Sequence, residues 1–173
     1  LVAALDRKGK AKAVVTDFRG NVLFRARHAD IAVERGGALY EAPESAFDFW
    51  TFILNKASFG SRPVSLEEVR TWLSHFGGVH VYDAGLRVHP YGNPGNDWLE
   101  LNLSRARDPE ERPSTNNSIG RVVVTDSKGE LLQKTDRSGY IESHGFNEIR
   151  AFAKDALDWM ARRRMELAEK RRR

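Results

Sequence analysis

Phe146-Asn147-Glu148-Ile149-Arg150-Ala151-Phe152-Ala153-Lys154-Asp155-Ala156-Leu157-Asp158-Trp159-Met160 is the stretch on which the fold turns. Ile149, Phe152, Ala153, Ala156, Leu157 and Met160 recur at helical spacing, so the segment predicts an amphipathic helix opening near residue 146. Asp158 with Arg162 and Glu166 with Lys170 are i,i+4 pairs that carry the same pattern toward the C-terminus. One apolar stripe cannot stay wet. It needs a second layer, and the rest of the chain supplies it as strands.

Lys12–Phe18 and Asn21–Arg27 read as a hairpin around Arg19-Gly20-Asn21, with Val14, Val15, Val22, Leu23 and Phe24 as β-prone residues. From Ala46 to Leu54, Phe47, Phe49, Thr51 and Ile53 alternate with Trp50, Phe52 and Leu54, which predicts a central strand buried on both faces. Ser65-Leu66-Glu67-Glu68 is a capping box opening a helix whose apolar side carries Leu66, Val69, Trp72, Leu73 and Phe76, and Gly77-Gly78 ends it. Val79–Tyr82 and Leu86–His89 form a second hairpin around Asp83-Ala84-Gly85. Pro90–Asn117, rich in proline and glycine, is a long loop anchored by Trp98-Leu99-Glu100-Leu101. Ile119–Thr125 with Glu130–Gln133 makes a third hairpin around Asp126-Ser127-Lys128-Gly129. The expected fold is α+β, a mixed β-sheet with helices packed on one face and a long C-terminal helix, in a single domain over residues 1–173.

Composition narrows the functional classes. The 173 residues contain no cysteine, which leaves neither disulfides nor thiolate zinc sites and fits a cytoplasmic location. No apolar run nears the roughly 18 residues of a membrane span. The chain starts at Leu1, so it reads as a piece of something longer. Of the net charge of +4, residues 161–173 carry +5, leaving the body at −1. A near-neutral body with a basic tail disfavours a broad nucleic-acid face. The tail reads as a frayed or coiled-coil helix end, with contact to an acidic partner as the alternative. Asp108 and Glu110-Glu111-Arg112 form a charge run that reads as a solvated loop, and His28, His75, His80, His89 and His144 show no metal-ligand spacing.

Thr135-Asp136-Arg137-Ser138-Gly139-Tyr140-Ile141 sets one arginine in a glycine-containing loop just ahead of the helix. A planar guanidinium there suits a phosphate or carboxylate offered from outside; the alternative is a structural turn with Arg137 solvated. Gly85-Leu86-Arg87-Val88-His89-Pro90-Tyr91-Gly92, Gly95-Asn96-Asp97-Trp98-Leu99 and Asn116-Asn117-Ser118-Ile119-Gly120 complete the pattern. Over roughly residues 79–160 this set resembles the second, transducer domain of the GHKL ATPases, the superfamily of gyrase and the ninety-kilodalton heat-shock chaperones. In the chaperones an arginine in an Asn-(Leu/Ile)-Ser-Arg-Glu segment before a helix touches the terminal phosphate of ATP; here Ser138 stands where they have glutamate. The resemblance implies a ribosomal-S5-domain-2-like sheet with a left-handed βαβ crossover. It also implies Arg137 as the phosphate-sensing residue, Arg87 and Arg121 as lower-ranked candidates, and an N-terminal ATPase domain, with ATP and Mg2+, in the parent protein.

This chain lacks the nucleotide-cradling elements themselves. Gly92–Gly95 has no Gly-Lys-Ser/Thr ending, and Asp83-Ala84-Gly85 resembles the start of an adenine box but has Arg87 where its second glycine belongs. No cofactor and no metal are therefore expected in this chain, which is not catalytic alone. A nucleic-acid-binding module and a dimerisation scaffold working through the C-terminal helix are the alternative readings.

Overall fold

The strand β4 (Glu44–Thr51) lies at the middle of a seven-stranded sheet, with β1 (Val2–Leu5) on one side and β7 (Ser118–Thr125) on the other. The computed structural model describes residues 1–60, 63–107, 112–126 and 128–172. Beyond β1 come β2 (Ala11–Thr16) and β3 (Val22–Ala26), and beyond β7 come β5 (Gly78–Asp83) and β6 (Leu86–Val88). All neighbours are antiparallel except β5 and β7, so the sheet is mixed, and the chain crosses between that parallel pair through β6 and α4 (Leu101–Arg107).

Register explains which side chains meet. Ala3, Phe47 and Val122 stand abreast on β1, β4 and β7, with Val81 of β5 next in line. All four are essentially sealed from solvent. Phe49 stands beside Gly120, where a Cβ would come within 2.7 Å of the Phe49 ring, so only glycine fits under it. Onto this face packs α5 (His144–Arg172), which contributes Phe146, Ile149, Phe152, Ala153, Ala156, Leu157 and Met160 to the same core cluster. Each fully buried Phe or Ile contributes about 1.5–3 kcal/mol of transfer free energy, so this contact dominates the stability.

The hairpins β2–β3 and β5–β6 form as the alternation predicts. The capping box is also present: Ser65 Oγ accepts from Glu68 N–H at 3.1 Å and Glu68 accepts from Ser65 N–H at 2.7 Å, opening α3 (Leu66–Phe76). Of its apolar residues only Leu73 is buried, while Trp72 and Phe76 pair with each other and stay half exposed. Two short helices, α1 (His28–Ile31) and α2 (Lys56–Phe59), complete the described elements.

Four expectations need correction. β4 is central but buried on one face only: it ends at Thr51, and Trp50 is 50% exposed on the other side. The third hairpin does not exist as read, because β7 pairs with β4 and β5 while residues 130–133 turn toward residues 139–141 instead. The 90–117 loop contains α4, and the N-terminal residues contain β1, neither of which the sequence reading placed. The basic tail is helical through Arg172 and not wholly solvated: Arg162 donates to the Asp30 carbonyl and the Arg163 guanidinium lies 5.5 Å from the Phe24 ring centre. The charge run at 108–111, Ser127 and Arg173 lie outside the described residues.

Candidate functional site

The two constellations singled out in the sequence meet at the N-terminal end of α5. After β7, Asp126 turns the chain by accepting from Glu130 and Leu131 N–H at 3.0 and 2.7 Å. Residues 132–141 then fold back on themselves. Ile141 N–H donates to the Leu132 carbonyl, Gln133 bridges Tyr140, and Lys134 N–H donates to the Gly139 carbonyl at 2.9 Å. The tip is closed by Arg137 N–H to the Lys134 carbonyl at 2.9 Å. Asp136 caps it by accepting from both the Oγ and the N–H of Ser138, bonds that hold its carboxyl below the usual carboxylate range.

Arg137 sits at this tip with φ +57°, the left-handed region that costs a non-glycine residue about 1–2 kcal/mol. Its side chain is exposed, and among the described residues no carboxylate or carbonyl engages it.

The loop is pinned from beneath by the Pro90–Trp98 segment. Tyr140 N–H donates to the Tyr91 hydroxyl at 2.9 Å, and the Tyr140 hydroxyl donates to Asp83 at 2.8 Å. Burial and that carboxylate raise the Tyr140 pKa far above the ordinary phenol value, so it stays a donor. Gly139, with φ +101°, lies so close that a Cβ would approach the Tyr91 hydroxyl to 2.8 Å. Tyr91, Trp98, Tyr140 and Phe146 pack ring against ring, with centroids 5.1–6.1 Å apart. Trp98 anchors the cluster by donating to the Val79 carbonyl at 2.8 Å. Between the two loops opens a cleft of about 350 Å³ with Lys134, Ser138, Asn96, Asp97, Glu142 and Arg150 at its walls. Arg150 lies over the Phe146 ring and bonds Glu142, while its Nε and the Asn96 Oδ1 are buried with no hydrogen-bond partner among the described residues.

Arg87 and Arg121 are not brought to this loop. Both project from the sheet face opposite α5, since Arg87 pairs with Tyr82 across β5–β6 and Arg121 stands abreast of His80. Arg87 donates to Asn93 at 2.6 Å and Arg121 pairs with Asp48 at 2.8 Å. Sequence reasoning missed Tyr91 and Tyr140 as the pins of the Arg137 loop. Their juxtaposition spans 49 positions, and only the two Gly-flanked aromatic motifs hinted at it.

Among the described residues no group of three or more His, Asp or Glu gathers as a metal site, and no helix is long and apolar enough to cross a membrane. No protein-family model, curated protein or solved structure matches the chain.

Proposed function

We propose that this chain is the transducer-type second domain of a GHKL-type ATPase, and that Arg137 reaches the terminal phosphate of ATP bound in an N-terminal domain of the parent protein. The observation that carries the reading is an exposed arginine held at a strained, doubly pinned loop tip and satisfied by no carboxylate among the described residues. Strain retained at a polar tip is a feature of functional loops. Arg87 and Arg121 are already engaged by Asn93 and Asp48, which ranks them lower. The loop's attachment to Phe146 through Tyr91 and Tyr140 couples any force on Arg137 to α5, which is how nucleotide state would pass into the rest of the parent. ATP and Mg2+ belong to the parent's first domain, and the cytoplasm is the compartment this reading implies.

Stability and function should separate at this position. Arg137→Ala in the isolated chain changes stability by no more than about 0.5 kcal/mol. Arg137→Gly removes the left-handed penalty and stabilises by up to about 1 kcal/mol relative to Arg137→Ala. In the parent protein either change lowers ATP turnover by on the order of 10²–10³, the loss expected when one charge partner of the transferring phosphoryl group is removed. Unchanged turnover refutes the role. The isolated chain should show no micromolar affinity for Mg-ATP by calorimetry, and binding of that strength would place a nucleotide site where none is proposed.

A further inference from the structure

The sheet face opposite α5 carries two half-used surfaces, one on each side of its middle strand. On one side, Val2, Ala4 and Val14 of β1 and β2 floor a groove of about 670 Å³, with Lys12, Arg25 and Arg27 along its walls. Register makes the groove: Val14 stands abreast of Val2 and Arg25, and Lys12 abreast of Ala4, so small residues lie in the middle and long cations at the rim. Among the described residues no carboxylate engages those three cations, and Asp30 at the groove's end accepts from the Arg27 backbone N–H instead. On the other side, α3 meets the face where the Phe76 carbonyl lies 2.9 Å from His80 of β5. This helix buries Leu73 but leaves Trp72 and Phe76 half exposed. Glu67 in its first turn is exposed and, among the described residues, engaged by no cation.

Each surface lacks what the other offers. The groove is an uncovered sheet with cationic walls; α3 is an amphipathic helix with an acidic first turn and half of its apolar stripe uncovered. Their placement decides how they can meet. β2 and β5 each lie two strands from β4, on opposite sides, so each stands about 10 Å from it at ~4.8 Å per strand. A two-fold axis lying over β4 and parallel to it therefore brings the α3 of one copy over the β1–β2 groove of another, and the second α3 over the first groove. The contact is isologous and closes at two copies. Trp50 of β4, 50% exposed on this face, falls beside the axis.

We propose that two copies of this chain associate through the faces opposite α5, with Trp72 and Phe76 of each α3 over the Val2–Ala4–Val14 floor of the other and Glu67 toward Lys12 and Arg25. Burial of the apolar groups carries the affinity, and the exposed charges set partner and orientation. A second copy is the occupant because both complementary halves belong to one face of one chain. None of the residues of the Arg137 loop takes part, so the proposal does not depend on the ATPase reading.

The test is sedimentation equilibrium of the chain at about 0.1 M salt, with a charge exchange between the two surfaces. The mass should rise from 19.6 kDa toward twice that value as concentration passes from about 1 μM to about 1 mM. Lys12→Glu with Arg25→Glu reverses the groove, and Glu67→Lys reverses the helix; each variant alone should weaken association about tenfold or more. Mixed in equal amounts, the two variants should regain it, because every α3 then faces a groove of opposite charge. All three positions are exposed, so the substitutions leave the core intact. Trp72→Ser, which removes apolar area and no charge, should weaken the dimer as well. A chain that stays monomeric at 1 mM overturns the proposal and leaves the groove to an acidic helix of another protein. A dimer that survives both reversals, no recovery on mixing, or an unchanged dimer in Trp72→Ser also overturns it.

Discussion

The two faces of the sheet carry the same strands and opposite fates. Under α5, Phe47 and Phe49 are sealed, and Ala3, Val122 and Val81 line up with them. On the reverse, the same strands present Val2 and Trp50 about half exposed and the Asp48–Arg121 ion pair. α3 meets this reverse side at its C-terminal end, where the Phe76 carbonyl meets His80 at 2.9 Å. Alternation alone does not tell a dry face from a wet one, because Trp50 is as hydrophobic as Phe49. What separates them is whether a helix lies across the strand, and one long helix has only one stripe to offer.

The largest effect should come from the covered face. Phe152→Ala, at a position with no exposed surface, should cost about 3–5 kcal/mol, and Ile149→Ala about 2–5. Chemical denaturation would check both, and a loss below about 1 kcal/mol would mean that α5 is not docked as described.

A pH-dependent effect follows from His80, where α3 meets the reverse face. Burial lowers the His80 pKa below its ordinary 6.5, outweighing the Phe76 carbonyl, which raises it. A depressed histidine pKa means the unfolded chain binds the proton more readily. Its contribution to stability is therefore complete above about pH 6.5 and is lost as pH falls through the folded value. His80→Gln should flatten the decline in melting temperature below pH 6.5, and an unchanged pH profile would assign the decline to other groups.

Smaller still is the open ion pair. Arg121 is more than half exposed, so Asp48→Asn should cost only about 0.2–1 kcal/mol and less in high salt. Least of all, Trp50→Ser should stay within about 0.5 kcal/mol in the isolated chain. A large loss there would show that the reverse face packs against something after all.

What the sequence made legible follows the range of the interactions. The capping box at Ser65–Glu68 and the turn at Ala84–Gly85 are written within a few residues, and both form as read. The periodicity of Phe146–Met160 marks the core stripe because helix burial repeats locally. β1 escaped because Val2-Ala3-Ala4-Leu5 is short and alanine-rich, its strand state imposed by pairing to β2 and β4. Leu131-Leu132 after a turn-like Asp126–Gly129 imitates a hairpin with β7, yet β7 already has partners on both sides, so that segment closes on residues 139–141. The Arg137 loop was visible as a motif, but its pinning by Tyr91 and Tyr140 was not.

The length of α5 has a mechanical consequence. At 29 residues and 1.5 Å per residue it is about 43 Å long, whereas the eight-residue β4 spans about 27 Å. The helix outruns the strand that supports it. The stretch after Arg164 is therefore a lever of roughly 12 Å, with its fulcrum in the packed half and the Arg137 loop at the opposite, short arm. A tilt of the packed half too small to break its core contacts is magnified at Glu169 and Lys170, whose charged side chains are exposed.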